Sequence, residues 1–125
     1  MICDGSGAVT FLKSVPGFSL SRRMPGCPLW PIYGALHAPM QPQRYQVTLP
    51  GQVGARFLCY AVASPVVQAS FNAPVVLQST MLVVSDPDLD AATAVPVGPS
   101  CRICPRQSCA ARREPSVTYA HDAPA

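Results

Sequence analysis

The chain has 125 residues, 49% of them hydrophobic and 15 of them proline, with a net charge of +3. That length makes one domain, too apolar to stay disordered throughout. Prolines spread along the whole chain exclude a bundle of long helices, since an interior proline costs about 3 kcal/mol and breaks the helix.

Residues 7–12 have strand-like composition and follow a turn signal, Asp4-Gly5-Ser6-Gly7. Val15-Pro16-Gly17-Phe18 reads as a bend, and residues 21–26 as an exposed loop leading to Cys27. Residues 28–37 are the best helix candidate. Pro28 suits a first helical turn, Leu29, Ile32, Tyr33 and Leu36 fall at i, i+3, i+4 and i+7, and Pro39 stops the run. Trp30, the single tryptophan, reads as a core anchor.

A hairpin follows. Residues 44–49 alternate, residues 50–54 turn, and residues 56–63 return. Phe57, Cys59, Ala61 and Ala63 would share one face and Arg56, Leu58, Tyr60 and Val62 the other, with Cys59 a small buried apolar residue. Residues 64–74 read as a loop, residues 75–84 as a further, core strand, and residues 86–93 as a solvated acidic loop. The expected architecture is α+β: a small antiparallel sheet of four or five strands on one main helix, with a C-terminal cysteine-rich loop folding back toward Cys27. A PAS or GAF sensor is an analogue at the level of fold only. Residues 1–119 would form the domain and residues 120–125 a frayed tail.

The sharpest signal is Cys101-Arg102-Ile103-Cys104-Pro105-Arg106-Gln107-Ser108-Cys109, a C-x2-C-x4-C run. Two thiolates spaced by two residues can turn toward one ion, and a third one short turn later can join them. Cys27 is the first choice for a fourth ligand, Cys3 the second, and His37 and His121 are weaker. Four thiolates suit zinc or an iron–sulfur cluster, and spacing does not choose between them. Free or redox-active thiols are the alternative. A disulfide knot is not expected. The N-terminus lacks the basic and apolar regions of a secretory signal, and no stretch approaches the ~18–20 apolar residues of a membrane span. A cytoplasmic protein without a membrane role is expected.

Arg102, Arg106, Arg112 and Arg113 are four of the nine basic residues and accompany the cysteines. Their planar forks suit the phosphates of a nucleotide-like ligand. They could equally touch DNA backbone, or balance thiolates and solvate a loop. The net charge of +3 is too weak to mark a nucleic-acid surface by itself. No phosphate-binding glycine loop, zinc-protease helix or nucleophile elbow is present, and the two histidines stand apart. An enzyme is not expected.

Gly26-Cys27-Pro28-Leu29-Trp30, taken with residues 96–106 and with Cys109, Arg112 and Arg113, resembles the C-terminal domain of the bacterial short-chain fatty acyl-CoA transcriptional regulators. The resemblance runs from about Asp4 to Val117. It implies a ligand-sensing role in control of short-chain acyl-CoA metabolism, with an acyl-CoA as ligand. Members carry an Xre-type helix-turn-helix and a metallopeptidase-like region, and this sequence has neither. Sequence-specific DNA binding is therefore not expected of the chain alone, and its partner would be a separate DNA-binding regulator subunit or a second copy of itself. Cys27, Cys101, Cys104 and Cys109 match the family's cysteine elements and Arg102, Arg106, Arg112 and Arg113 its arginine-rich end, while their expected roles, metal ligands and ligand-binding candidates, come from spacing and charge rather than from the resemblance. The competing expectation is a structural or protein-interaction domain that a metal only staples.

Overall fold

The structure is a computed structural model and describes residues 1–18, 20, 25–50, 55–68, 70–86, 88, 90 and 92–118. The expected turn at residues 51–54, most of the loop at 21–24, and the tail at 120–125 lie outside the described residues, as does His121.

Among the described residues the core is a single six-stranded sheet. Strands β1 (Ile2–Asp4), β2 (Val9–Phe11), β3 (Gln43–Thr48), β4 (Arg56–Pro65), β5 (Leu77–Ser85) and β6 (Val95–Pro96) lie in the order β2-β1-β5-β4-β3-β6. The β3–β4 hairpin is in the expected place, with Thr48 opposite Arg56 and Tyr45 opposite Cys59. Strand β4 pairs along nine residues with β5, from Phe57 opposite Ser85 to Pro65 opposite Leu77.

Three expectations are corrected. The sheet has six strands, not four or five, and it is not wholly antiparallel, because β6 runs parallel to β3. The two additional strands, β1 and β6, have three and two residues, too few for alternation to register in a sequence. Residues 75 and 76 stay outside β5, where both are exposed.

The third correction concerns the helix. It begins at Pro31, not Pro28: α1 spans Pro31–Gly34 and continues as a 3-10 turn over Ala35–His37. Trp30 precedes a proline, and Pro31 Cδ crowds it out of the helical region into extended backbone, φ −63° and ψ 137°. Pro31 then takes the first helical position, where no N–H is needed.

One face of the sheet carries the core. Phe57, Cys59, Ala61 and Ala63 of β4 are buried there as expected, together with Val47, Met81 and Cys3. Ile32 and Ala35 close over them. The Ser79 hydroxyl donates to the Ile32 carbonyl at 2.6 Å, which fixes the helix to β5. Trp30 is fully buried, and Phe18 meets both Trp30 and Phe57 edge-on at centroid distances of 5.2 and 5.9 Å. The opposite face keeps Tyr60, Leu82 and Val84 exposed.

Candidate functional site

Strand β6 delivers the cysteine segment. After Pro96 the chain continues parallel to β3, with the Val97 N–H donating to the Thr48 carbonyl at 2.9 Å. This puts Gly98 under Trp30, whose indole N–H donates to the Gly98 carbonyl at 2.8 Å. The chain then turns through a 3-10 turn at Cys101–Ile103. One-residue precision matters at Gly98: a Cβ there would lie 2.8 Å from the Cys104 sulfur. Only a glycine lets the two segments approach this closely.

Cys27, Cys101, Cys104 and Cys109 border one small cavity of about 20 Å³ together with Gly98, Arg106 and Arg112. Its described lining has four thiols and no carboxylate or imidazole. Cys27, Cys101 and Cys104 are buried and Cys109 is half-buried. Burial pushes the Cys27 thiol up, backbone N–H groups of Leu29 and Gly98 pull it back by hydrogen-bonding to the sulfur, and neighbouring Cys101 and Cys104 push it up further. The donor chemistry, soft sulfur without hard oxygen, suits a thiolate-bound group. The sulfurs are not drawn into ligating positions, however: among the described residues no group of three or more Cys, His, Asp or Glu side chains is arranged to hold a metal ion.

The other candidates lie elsewhere. Cys3 is buried in β1 opposite Ser79, away from this cavity. Burial raises its thiol, Asp4 adds to the rise, and the Ser79 N–H opposes it. Cys59 is sealed in β4, and burial pushes its thiol up to about 12. Its expected role as an apolar core residue is what the structure shows.

The arginines divide by the work they do. Arg106 donates to the carbonyls of Thr48 and Val97 at 3.3 and 3.4 Å, tying the cysteine segment to β3. Its Nε is buried with no hydrogen-bond partner among the described residues. Arg112 donates to the carbonyls of Cys101, Glu114 and Cys104 at 2.8, 3.1 and 3.4 Å, and also to that of Arg106. It is the hub of the loop. Arg113 donates to the Gly26 carbonyl, so the C-terminal segment is strapped to the residue before Cys27. Arg102 is exposed, and its carbonyl accepts the Val117 N–H at 2.8 Å.

A second, larger concavity lies on the other side of the Cys27 strap. An open groove of about 500 Å³ runs between the β1–β2 turn, residues 25–28 and the end of the helix. Arg113, His37 and Tyr33 line it. The Tyr33 hydroxyl is buried beside Gly26 with no hydrogen-bond partner among the described residues, a state that costs about 1–3 kcal/mol. Burial pushes this phenol up, Cys3 and Cys27 add to the rise, and Arg113 opposes it. Sequence reasoning missed Gly98 and Tyr33 as parts of these sites. The signal for Gly98 was its position in Gly98-Pro99-Ser100-Cys101, immediately before the cysteines. Tyr33 carried no signal beyond its place on an apolar helix face.

Comparison with known proteins adds the following. The signature of a family described as short-chain fatty acyl coenzyme A regulator, C-terminal, matches residues 1–123. The chain is 33% identical over 125 residues to the propionyl-CoA carboxylase regulator of Cereibacter sphaeroides, covering 91% of this chain and 26% of the relative. It is 27% identical over 128 residues to the HTH-type transcriptional regulator PrpR of Mycobacterium tuberculosis, covering 90% of this chain and 25% of the relative. The chain therefore spans about a quarter of the length of these curated relatives. A solved structure of a Mycobacterium tuberculosis transcriptional regulator superposes with a TM-score of 0.77 at 24% identity, over 99% of this chain and 42% of that one, and shares its fold.

Proposed function

The chain belongs to the short-chain fatty acyl coenzyme A regulator C-terminal family, and on that premise we propose that it is the ligand-sensing domain of a cytoplasmic transcriptional regulator of short-chain acyl-CoA metabolism. The family is one of regulators rather than enzymes. The sensing role rests on family membership and on the two concavities that meet at the Cys27 strap. DNA reading is assigned to another regulator subunit or to another region of the regulator, in keeping with the helix-turn-helix named for the mycobacterial relative.

Cys27, Cys101, Cys104 and Cys109 are the residues that would hold a zinc ion or an iron–sulfur cluster. The observation behind this is that all four border one cavity whose described lining has no carboxylate. Either group would staple the loop, and a cluster would also supply a redox state. The chain's own residues do the rest. Arg106 and Arg112 set the path of the loop and border the cavity the four cysteines line, and Gly98 admits Cys104.

Elemental analysis and an anaerobic absorption spectrum test this reading. The expected result is stoichiometric zinc, or iron with visible absorption, lost in Cys101→Ser and Cys104→Ser and kept in Cys59→Ala. Metal-free wild-type protein, or full metal content in either serine variant, overturns the cysteine assignment. The second reading, a metal-stapled interaction domain that senses no small molecule, is favoured by Arg106 and Arg112, which donate to backbone carbonyls of their own loop and its neighbours. Retention of the metal with no response to propionyl-CoA would select it.

A further inference from the structure

We propose that the open edge of β5 is a docking site for an extended peptide segment of a partner polypeptide. The segment adds to the sheet as a further strand, places aliphatic side chains in the groove beside that edge and offers a carboxylate to Lys13. The site follows from the alternation of backbone groups. Strand β5 pairs with β4 in one unbroken register from Leu77 to Ser85, so its N–H and C=O groups point alternately to either side. Met81 bonds on the β1 side: its N–H donates to the Met1 carbonyl and its carbonyl accepts from the Met1 ammonium, both at 2.9 Å. Asp86 N–H donates to the Arg56 carbonyl on the β4 side at 2.9 Å. Val83 and Ser85 therefore aim their backbone groups the same way as Met81. Strand β1 pairs no further along β5 than Thr80, and among the described residues no backbone donor or acceptor meets Val83 or Ser85 on that side.

Proteins blunt such edges with charge, proline or a bulge. This edge has none of them. Residues 57–85 contain no Asp, Glu, Lys or Arg, and residues 81–85 contain no proline. The pairing of β4 with β5 is regular throughout.

A groove of about 220 Å³ runs beside the edge, with Phe11, Val15, Phe18, Met81 and Val83 in its apolar wall and Lys13 the one charged side chain in its described lining. That volume is below the ~300–1,000 Å³ of small-molecule sites and suits the side chains of a strand rather than a whole ligand. On the other face Leu82 and Val84 are exposed beside the same edge. Side chains of an added strand alternate between the two faces, so one set meets the groove and the other meets Leu82 and Val84. Both surroundings are apolar and call for β-branched residues. Lys13 is exposed and supplies the charge complementarity for a carboxylate. The free edge is confined to Leu82–Ser85, which fits a short extended segment better than the nine-residue β5 of a second copy. In strand addition the backbone bonds supply affinity and the side-chain contacts supply specificity.

Nuclear magnetic resonance on the 125-residue chain with the capped hexapeptide Thr-Val-Glu-Val-Thr-Val tests the proposal. In the free protein the amides of Val83 and Ser85 should exchange with solvent faster than those of Leu82 and Val84, which face β4. Saturating peptide should slow Val83 and Ser85 selectively, and a peptide N-methylated at its valines should not bind. Lys13→Glu should weaken binding about five-fold, the upper range for one exposed ion pair. A peptide with lysine in place of glutamate should prefer that variant to the wild type. Arg44→Gln, on β3, should leave affinity unchanged. Equal exchange of the four amides in the free protein overturns the open edge. Absence of peptide binding, or binding indifferent to N-methylation, overturns strand addition, and full affinity in Lys13→Glu overturns the carboxylate. Protection of Val83 and Ser85 that grows with protein concentration alone gives the edge to a second copy and overturns the peptide partner.

Discussion

At the scale of single residues, Gly98 joins more of the site than any cysteine does. Its carbonyl accepts the Trp30 indole N–H, its N–H bonds to the Cys27 sulfur, and its missing side chain leaves room for Cys104. Gly98→Ala would place a methyl group 2.8 Å from the Cys104 sulfur and 3.4 Å from its Cβ. The cysteine must then rotate or the strap must move, an overpacking that destabilises by about 1–3 kcal/mol. Chemical denaturation should register that loss, and iodoacetamide should alkylate Cys104 faster than in the wild type. Equal stability and equal alkylation rates would contradict the close-approach role. The cysteine identities were legible in the sequence because C-x2-C-x4-C is a local pattern. The roles of Arg106 and Arg112 were not. A guanidinium that binds phosphate and one that gathers carbonyls look the same in a sequence.

At the scale of elements, the helix shows how local rules compete. Its apolar spacing was read correctly for Ile32, which is fully buried, while Leu29 is exposed because it precedes the helix instead of opening it. Two prolines could each begin a helix, and the constraint on the residue before the second one decided between them. A helix this short is marginal by itself and is held by what it docks on. The buried Ser79–Ile32 hydrogen bond is the polar part of that docking. Ser79→Ala should lower unfolding free energy by about 0.5–1.5 kcal/mol, the net worth of one such bond, with the far-UV circular dichroism unchanged. A variant as stable as the wild type would show that the bond contributes nothing to holding the helix. The longer strands β3, β4 and β5 were legible because alternation and β-branched runs extend over them. The short strands β1 and β6 exist only because β5 and β3 offer them an edge.

At the scale of the whole molecule, the buried thiols and phenol give stability a pH dependence of definite sign. Cys59 is held protonated up to about 12, and Cys3, Cys27 and Tyr33 are also raised. The unfolded chain releases its thiol protons near the ordinary value of 9.0. Below that pH both states hold their protons and the contribution is fully present. Above it the unfolded state binds fewer protons than the folded one, so stability falls as pH rises from about 9 toward 12. Melting temperatures measured under reducing conditions should decline over that window, and less steeply in Cys59→Ala. Parallel curves for wild type and variant would show that Cys59 does not contribute to the decline. The same scale explains the open sheet face. The one α-helix among the described residues covers one face of the sheet, and Leu82 on the other is 62% exposed on a strand read from its composition as core. Among the described residues no helix is long and apolar enough to cross a membrane.

The proline-rich, charge-poor composition determined that the chain would fold as short elements joined by turns, and the local patterns determined the hairpin, the position of the cysteine run and the family it resembles. These are properties of neighbours along the chain, where periodicity and backbone constraint act over a few residues. Tertiary structure alone decided that Gly98 lies beneath Trp30, and that the four arginines divide between loop bracing, the groove and the solvent. Those outcomes depend on strand order and on the parallel placement of β6, which bring distant residues within reach of short-range forces.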